Sequence, residues 1–182
     1  GFCSEFILQQ YYRDIRIMSI YEGTTGIQSL DLLGRKIPMK NGAAVQLLMQ
    51  KITTVINEAN NFEELRPYAE DLGKKLEDVQ KVMAHLLPFA MEGEYEKYLA
   101  DATTFMDFAS QIVIAYQWLK IASAAKIALQ NGDTTYDKAF YENKVHTMKF
   151  FFKYELPKTK ACVETLLNTE FLTLKDHENL FI

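Results

Sequence analysis

Glu22 is the side chain that its neighbours best equip for chemistry. It stands between Tyr21 and Gly23, and two hydroxyl residues, Thr24 and Thr25, follow. A glycine permits a tight bend and a close backbone approach to a ligand. A carboxylate on such a bend can be held rigidly as a base, although on residue type alone a loop carboxylate is most often a solvated acid. The elements on either side therefore decide its meaning. The run from Phe6 to Ser19 predicts a helix, and Ile20 to Thr24 a turn. Thr25 and Gln28 have capping-box spacing, so a second helix is expected from about Gly26. It carries Ile27, Leu30, Leu32 and Leu33 and ends by Pro38.

Beyond Asn41 the helical rhythm lengthens. Val45, Leu48, Met49, Ile52, Ile56 and Ala59 recur at three-four spacing. Asn61 and Glu64 form another capping-box pattern, opening a helix that carries Leu65 to Ala90, with Pro67 near its start and Pro88 as a kink or stop. A third helix is expected from about Glu94 to Gln130, apolar on most faces between Ile112 and Leu129. A fourth runs from about Thr134 to Asn168 and should bend at Pro157. The tail from Thr169 to Ile182 is mixed, either docked or disordered. No β-type alternation is present. The fold class is all-α: an antiparallel up-down four-helix bundle (39–182) preceded by a helix-turn-helix segment (1–38).

The 182 residues are 48% hydrophobic and 24% charged, enough apolar mass for a real core. The net charge is −4, and the Lys and Arg residues are scattered, which argues against nucleic acid or an anionic membrane as the main partner. Cys3 and Cys162 form neither a disulfide framework nor a metal spacing, so a reducing, cytoplasmic setting is expected. His85, His146 and His177 stand alone, and no metal site is expected. Arg13 and Asp14 read as structural, since neighbours in a helix do not face each other. No secretory leader is expected ahead of the first helix. No apolar run approaches the roughly 20 residues of a membrane span. The chain opens without Met, in the middle of a motif, and a fragment is expected.

Three words carry a resemblance: Gly1-Phe2-x-x-Glu5, Tyr11-Tyr12-Arg13-Asp14-Ile15-Arg16-Ile17, and Ile20-Tyr21-Glu22-Gly23-Thr24-Thr25-Gly26-Ile27-Gln28. Their succession and spacing resemble the C-terminal part of an acyl-CoA dehydrogenase. Two positions depart from that pattern. Gln10 stands where the family usually has Lys or Arg, and Gly26 replaces a common polar residue. From Asn41 onward the chain is similar to the helical C-terminal extension of a subset of these enzymes.

The resemblance implies FAD as cofactor and an acyl-CoA thioester as substrate, oxidised between its α and β carbons. Glu22 matches the base that takes the α-proton. Its own backbone N–H and a flavin hydroxyl would stabilise the developing enolate. Gly23 matches the close approach to the substrate thioester, and Thr24, Thr25 and Gly26 match positions that touch FAD. The resemblance also implies electron-transfer flavoprotein as acceptor and a homo-oligomer. Most of the FAD and CoA site would lie in domains upstream, so the isolated chain is expected to be inactive. Two other readings concern the bundle: a non-catalytic interaction or oligomerisation module, or a wall that shapes the acyl pocket.

Overall fold

Eight α-helices follow one another in the computed structural model, which describes residues 3–174: α1 (Leu8–Ile15), α2 (Thr25–Asp31), α3 (Met39–Ala59), α4 (Arg66–Met91), α5 (Tyr95–Leu99), α6 (Ala102–Gln130), α7 (Lys138–Tyr154) and α8 (Thr159–Leu166). Short 3₁₀ turns at Arg16–Ser19, Leu156–Lys158 and Leu172–Leu174 join them, with a π-helical turn at Leu32–Lys36. All regular structure among the described residues is helical, as the sequence pattern predicts.

The longest apolar run becomes the hub. α6 packs against α2, α3, α4, α7 and α8. It buries Phe105, Phe108, Ile112, Tyr116 and Leu119 together with Ala115, Ala122 and Ala125. Alanines at such positions let neighbouring helix axes come close. By length and composition α6 could also cross a bilayer, which corrects the expectation that no apolar run is long enough. Its hydrophobicity instead serves its position, because a helix covered on several sides needs apolar side chains on several faces.

The two long helices preceding α6 are amphipathic. Ile52, Val55 and Ala59 of α3 and Ala69, Leu72, Val82 and Leu86 of α4 enter one continuous core with Leu33, Val145, Met148 and Phe152. The turn of π-helix is held from that core. The Tyr98 hydroxyl donates to the Leu33 carbonyl at 2.9 Å, and this bond is buried. Burial pushes the Tyr98 phenol above its ordinary range.

Several local expectations are corrected by tertiary partners. Neither Thr24 nor Thr25 caps α2 with its side chain; Thr24 is the extended residue before the helix, which begins at Thr25. The Asn61–Glu64 box does not form either. α4 starts at Arg66 with a proline in its first turn, and the Glu64 carboxylate turns to lysines on α6 and α7. The expected helix from Glu94 to Gln130 breaks at Ala100 and Asp101 into α5 and α6. Asp competes poorly within a helix and favours a flanking position. The expected fourth helix begins later, at Lys138, because the Asp137 carboxylate accepts from the Phe140 N–H at 2.7 Å and fixes the start there.

Pro88 marks the end of α4, one of the two outcomes expected of it. It sits in the last turn, and the helix ends at Met91. Pro157 does bend the chain between α7 and α8, and the buried Thr159 hydroxyl donates to the Leu156 carbonyl at 2.6 Å. In the described part of the tail, the Phe171 ring meets Phe89 of α4 edge-on at 5.2 Å. The expectations for Gly1, Phe2, His177 and the rest of the tail lie outside the described residues.

Candidate functional site

The bend carrying Glu22 is over-determined on one side and open on the other. Ile20 and Tyr21 both donate backbone N–H groups to the Ile17 carbonyl, at 3.0 and 3.1 Å, and close the preceding turn. Glu22 then adopts φ +57°, a left-handed conformation that is costly for a non-glycine residue. Such a conformation persists only where its surroundings enforce it. Gly23 follows at φ +108°, and a Cβ there would stand 2.9 Å from Cγ2 of Ile27. Both the dihedral and the space require glycine.

Gln28 is the residue that sequence reasoning assigned to the wrong task. Its side-chain amide donates to the Tyr21 carbonyl at 3.0 Å and the Gly23 carbonyl at 3.2 Å, bracketing Glu22. The next residue fastens α2 to the bundle. The buried Ser29 hydroxyl donates to the Thr25 carbonyl at 2.7 Å and lies 3.4 Å from the Met106 sulfur of α6. The bend is thus tied through Gln28 and Ser29 to the central helix. A polar residue spaced to face back into a Gly-bearing turn was the available signal for Gln28. A Ser among the apolar residues of a short helix was the signal for Ser29.

Gly23→Ala is expected to loosen this bend. Strain of about 1–3 kcal/mol should accelerate amide exchange across residues 24–28 by about tenfold or more, while the α6 amides remain protected. Unchanged exchange at those amides would show that the bend tolerates a Cβ.

Glu22, Thr24, Thr25 and Gly26 are all exposed. A Cβ at Gly26 would meet nothing within 4 Å, so this side of α2 is open to a bulky group. The helix before the bend is equally bare. α1 buries no residue, and Phe6, Ile7, Leu8, Tyr11, Tyr12 and Ile15 are each more than half exposed. Ile17, Met18 and Ile20 extend this apolar surface to the bend itself. Contiguous apolar exposure on this scale marks a surface built to be covered. Arg13 and Asp14 are exposed on α1.

A charged cluster that links three parts of the chain lies elsewhere. Glu64 pairs with Lys126 of α6 and, at 2.5 Å, with Lys149 of α7. The cleft around it also includes Glu142, Asn143 and His146 and holds about 440 Å³. Hydrogen bonds from Lys126 and then Lys149 hold the Glu64 carboxyl below its usual range. A carboxylate with both oxygens committed to lysines is a brace between helices, not a free base. A lowered folded-state pKa adds stability that is present above the ordinary unfolded value and lost as pH falls through the folded one. Glu64 is partly exposed, so the loss should be about 1 kcal/mol. Acid titration of thermal stability is expected to show it, and Glu64→Gln should flatten the slope below about pH 4.5. An unchanged slope would remove the brace.

Comparison with known proteins places these features. A family model described as acetyl-CoA dehydrogenase C-terminal like matches residues 48–174. The chain is 32% identical over 176 residues to the broad-specificity linear acyl-CoA dehydrogenase FadE5 of Mycobacterium tuberculosis, covering 92% of this chain and 29% of that protein. It is 30% identical over 165 residues to the 3-methylmercaptopropionyl-CoA dehydrogenase of Ruegeria pomeroyi, covering 88% of this chain and 27% of the relative. A butyryl-CoA dehydrogenase of Syntrophomonas wolfei is 27% identical over 168 residues, covering 91% of this chain and 27% of its own. The chain therefore spans less than a third of the length of these relatives.

Proposed function

This chain belongs to the acyl-CoA dehydrogenase family, in the part that its C-terminal model describes, and from that membership we propose that it is the C-terminal helical part of an FAD-dependent enzyme oxidising acyl-CoA thioesters between the α and β carbons. Residues 1–38 form the end of the catalytic helical domain and 39–182 its bundle extension. Glu22 takes the α-proton. FAD, when bound, accepts the β-hydride; the exposed Thr24 and Thr25 hydroxyls and the open side of Gly26 suit such a group, whose other walls lie in other parts of the enzyme.

The observation that carries this reading is the pairing of a fixed bend with an uncovered apolar face. Gln28 and Gly23 hold the Glu22 backbone in a conformation it would not choose alone. A base must be aimed before the substrate arrives, since misplacement sacrifices rate. The exposed face from Phe6 to Tyr21 then supplies the apolar surface on which the rest of the enzyme closes the site and excludes water. In this reading the Glu22 N–H helps stabilise the enolate oxygen, and Gly23 leaves room for the thioester.

Acyl-CoA is then the substrate, electron-transfer flavoprotein the acceptor, a homo-oligomer the assembly and the cytoplasm the setting. The purified chain is expected to be colourless and without dehydrogenase activity, because Glu22 alone cannot bind flavin. A visible flavin spectrum copurifying with the chain would overturn that division of labour. The alternative, a non-catalytic interaction module, is favoured by the same exposed apolar surface. It predicts self-association of the isolated chain with no effect of Glu22 substitutions in the whole enzyme.

A further inference from the structure

The bundle contains a second feature that the dehydrogenase chemistry does not use. Between α3, α4 and α6 lies an almost purely apolar slot of about 90 Å³, lined by Leu48, Ile52, Leu76, Phe105, Ala109 and Val113 among others. Protein interiors seldom keep such space, because side chains normally interdigitate to crystal-like density. An apolar space of this kind favours apolar guests over water.

The slot does not end at the core. Ile37, Val45, Met49 and Met83 line both it and a groove of about 750 Å³ between α3 and α4. The remaining groove wall carries Asn41, Gln46, Gln50 and Gln80, and none of the residues lining either space is charged. The mouth is shaped by an unusual backbone. Lys40, Asn41 and Gly42 take φ values of +52°, +56° and +76° in succession, a left-handed turn at the start of α3. Two of those three residues are non-glycine, so the turn is strained and is held by its surroundings. It swings Asn41 and Gly42 to the rim of the groove. The two methionines at the junction can adapt their shape to a guest.

We propose that this groove and slot form a binding site for a linear aliphatic chain with an uncharged polar head. The tail enters between Met49 and Met83 and ends beside Ala109 and Val113. The head rests among the amides of Asn41, Gln46, Gln50 and Gln80. The lining offers amides that can hydrogen-bond an uncharged head and no cation to pair with a carboxylate or phosphate. The proposal is independent of Glu22 and of the dehydrogenase reading.

The test is titration of this chain with octan-1-ol and, in parallel, with octanoate, followed by side-chain methyl NMR. Octan-1-ol is expected to give saturable shifts at Val45, Met49, Met83 and Val113. Octanoate should bind at least tenfold more weakly. Ala109→Leu, which fills the slot from α6, should weaken the alcohol at least tenfold without unfolding the chain. Val113→Phe provides a second filling variant with the same expected loss. Shifts confined to the exposed face of Phe6 to Tyr21, equal binding of octanoate, or alcohol binding undiminished in both filled variants that remain folded would each overturn the site.

Discussion

In the complete enzyme carrying this chain, Glu22→Gln is expected to lower kcat by about 10²- to 10⁴-fold while FAD remains bound. The substitution is nearly isosteric. It keeps the bend, because the left-handed conformation at residue 22 depends on Gln28 and Gly23. It leaves Thr24, Thr25 and Gly26 unchanged. It removes only the ability to accept a proton, since a carboxamide is not a base in this pH range. The loss should therefore fall on kcat, with little change in flavin absorbance or in the affinity for product-like ligands. Gly23→Ala makes a useful companion, because it disturbs the aim of the proposed base and leaves its carboxylate in place. Full turnover in Glu22→Gln would remove the carboxylate from catalysis and leave the fixed bend as scaffold.

The parts of this molecule that were legible in sequence are those set by periodicity. The largely apolar run from Ile112 to Leu129 becomes part of the hub helix, because apolar residues on most of its faces suit a position between several neighbours. Pro157 bends the chain where its missing N–H requires. Candidate site residues that are contiguous, from Glu22 to Gly26, necessarily share one bend.

What could not be read were choices between partners distant in sequence. Glu64 has capping-box spacing from Asn61, yet its carboxylate finds Lys126 and Lys149. Local spacing cannot weigh those alternatives. Gln28 has capping-box spacing from Thr25, yet it donates to two carbonyls of the bend. The Tyr98 hydroxyl reaches the Leu33 carbonyl, another contact invisible to a helical pattern. The exposure of the Phe6–Tyr21 face was also hidden. The apolar spacing of that segment promises burial without saying what supplies it.

Apolar residues here are of two kinds, covered and uncovered, and the covered kind carries the largest expected effect on stability. Phe108 is fully buried in α6 and lines the slot between α3, α4 and α6. Phe108→Ala removes its transfer free energy and enlarges a void already present, so a loss of about 3–5 kcal/mol is expected. Against a typical total of about 5–15 kcal/mol, this should lower the melting temperature of the chain by about 10 °C or more. Tyr12 is of similar size but 67% exposed on α1. Tyr12→Ala should change the stability of the isolated chain by less than about 0.5 kcal/mol. The two substitutions should converge in the complete enzyme, where other parts of the polypeptide are proposed to cover α1. Equal losses in the isolated chain would mean that α1 finds its own cover in solution. The bend at Glu22 would then no longer border an uncovered apolar face, and the proposal that other domains complete its site would lose its physical basis.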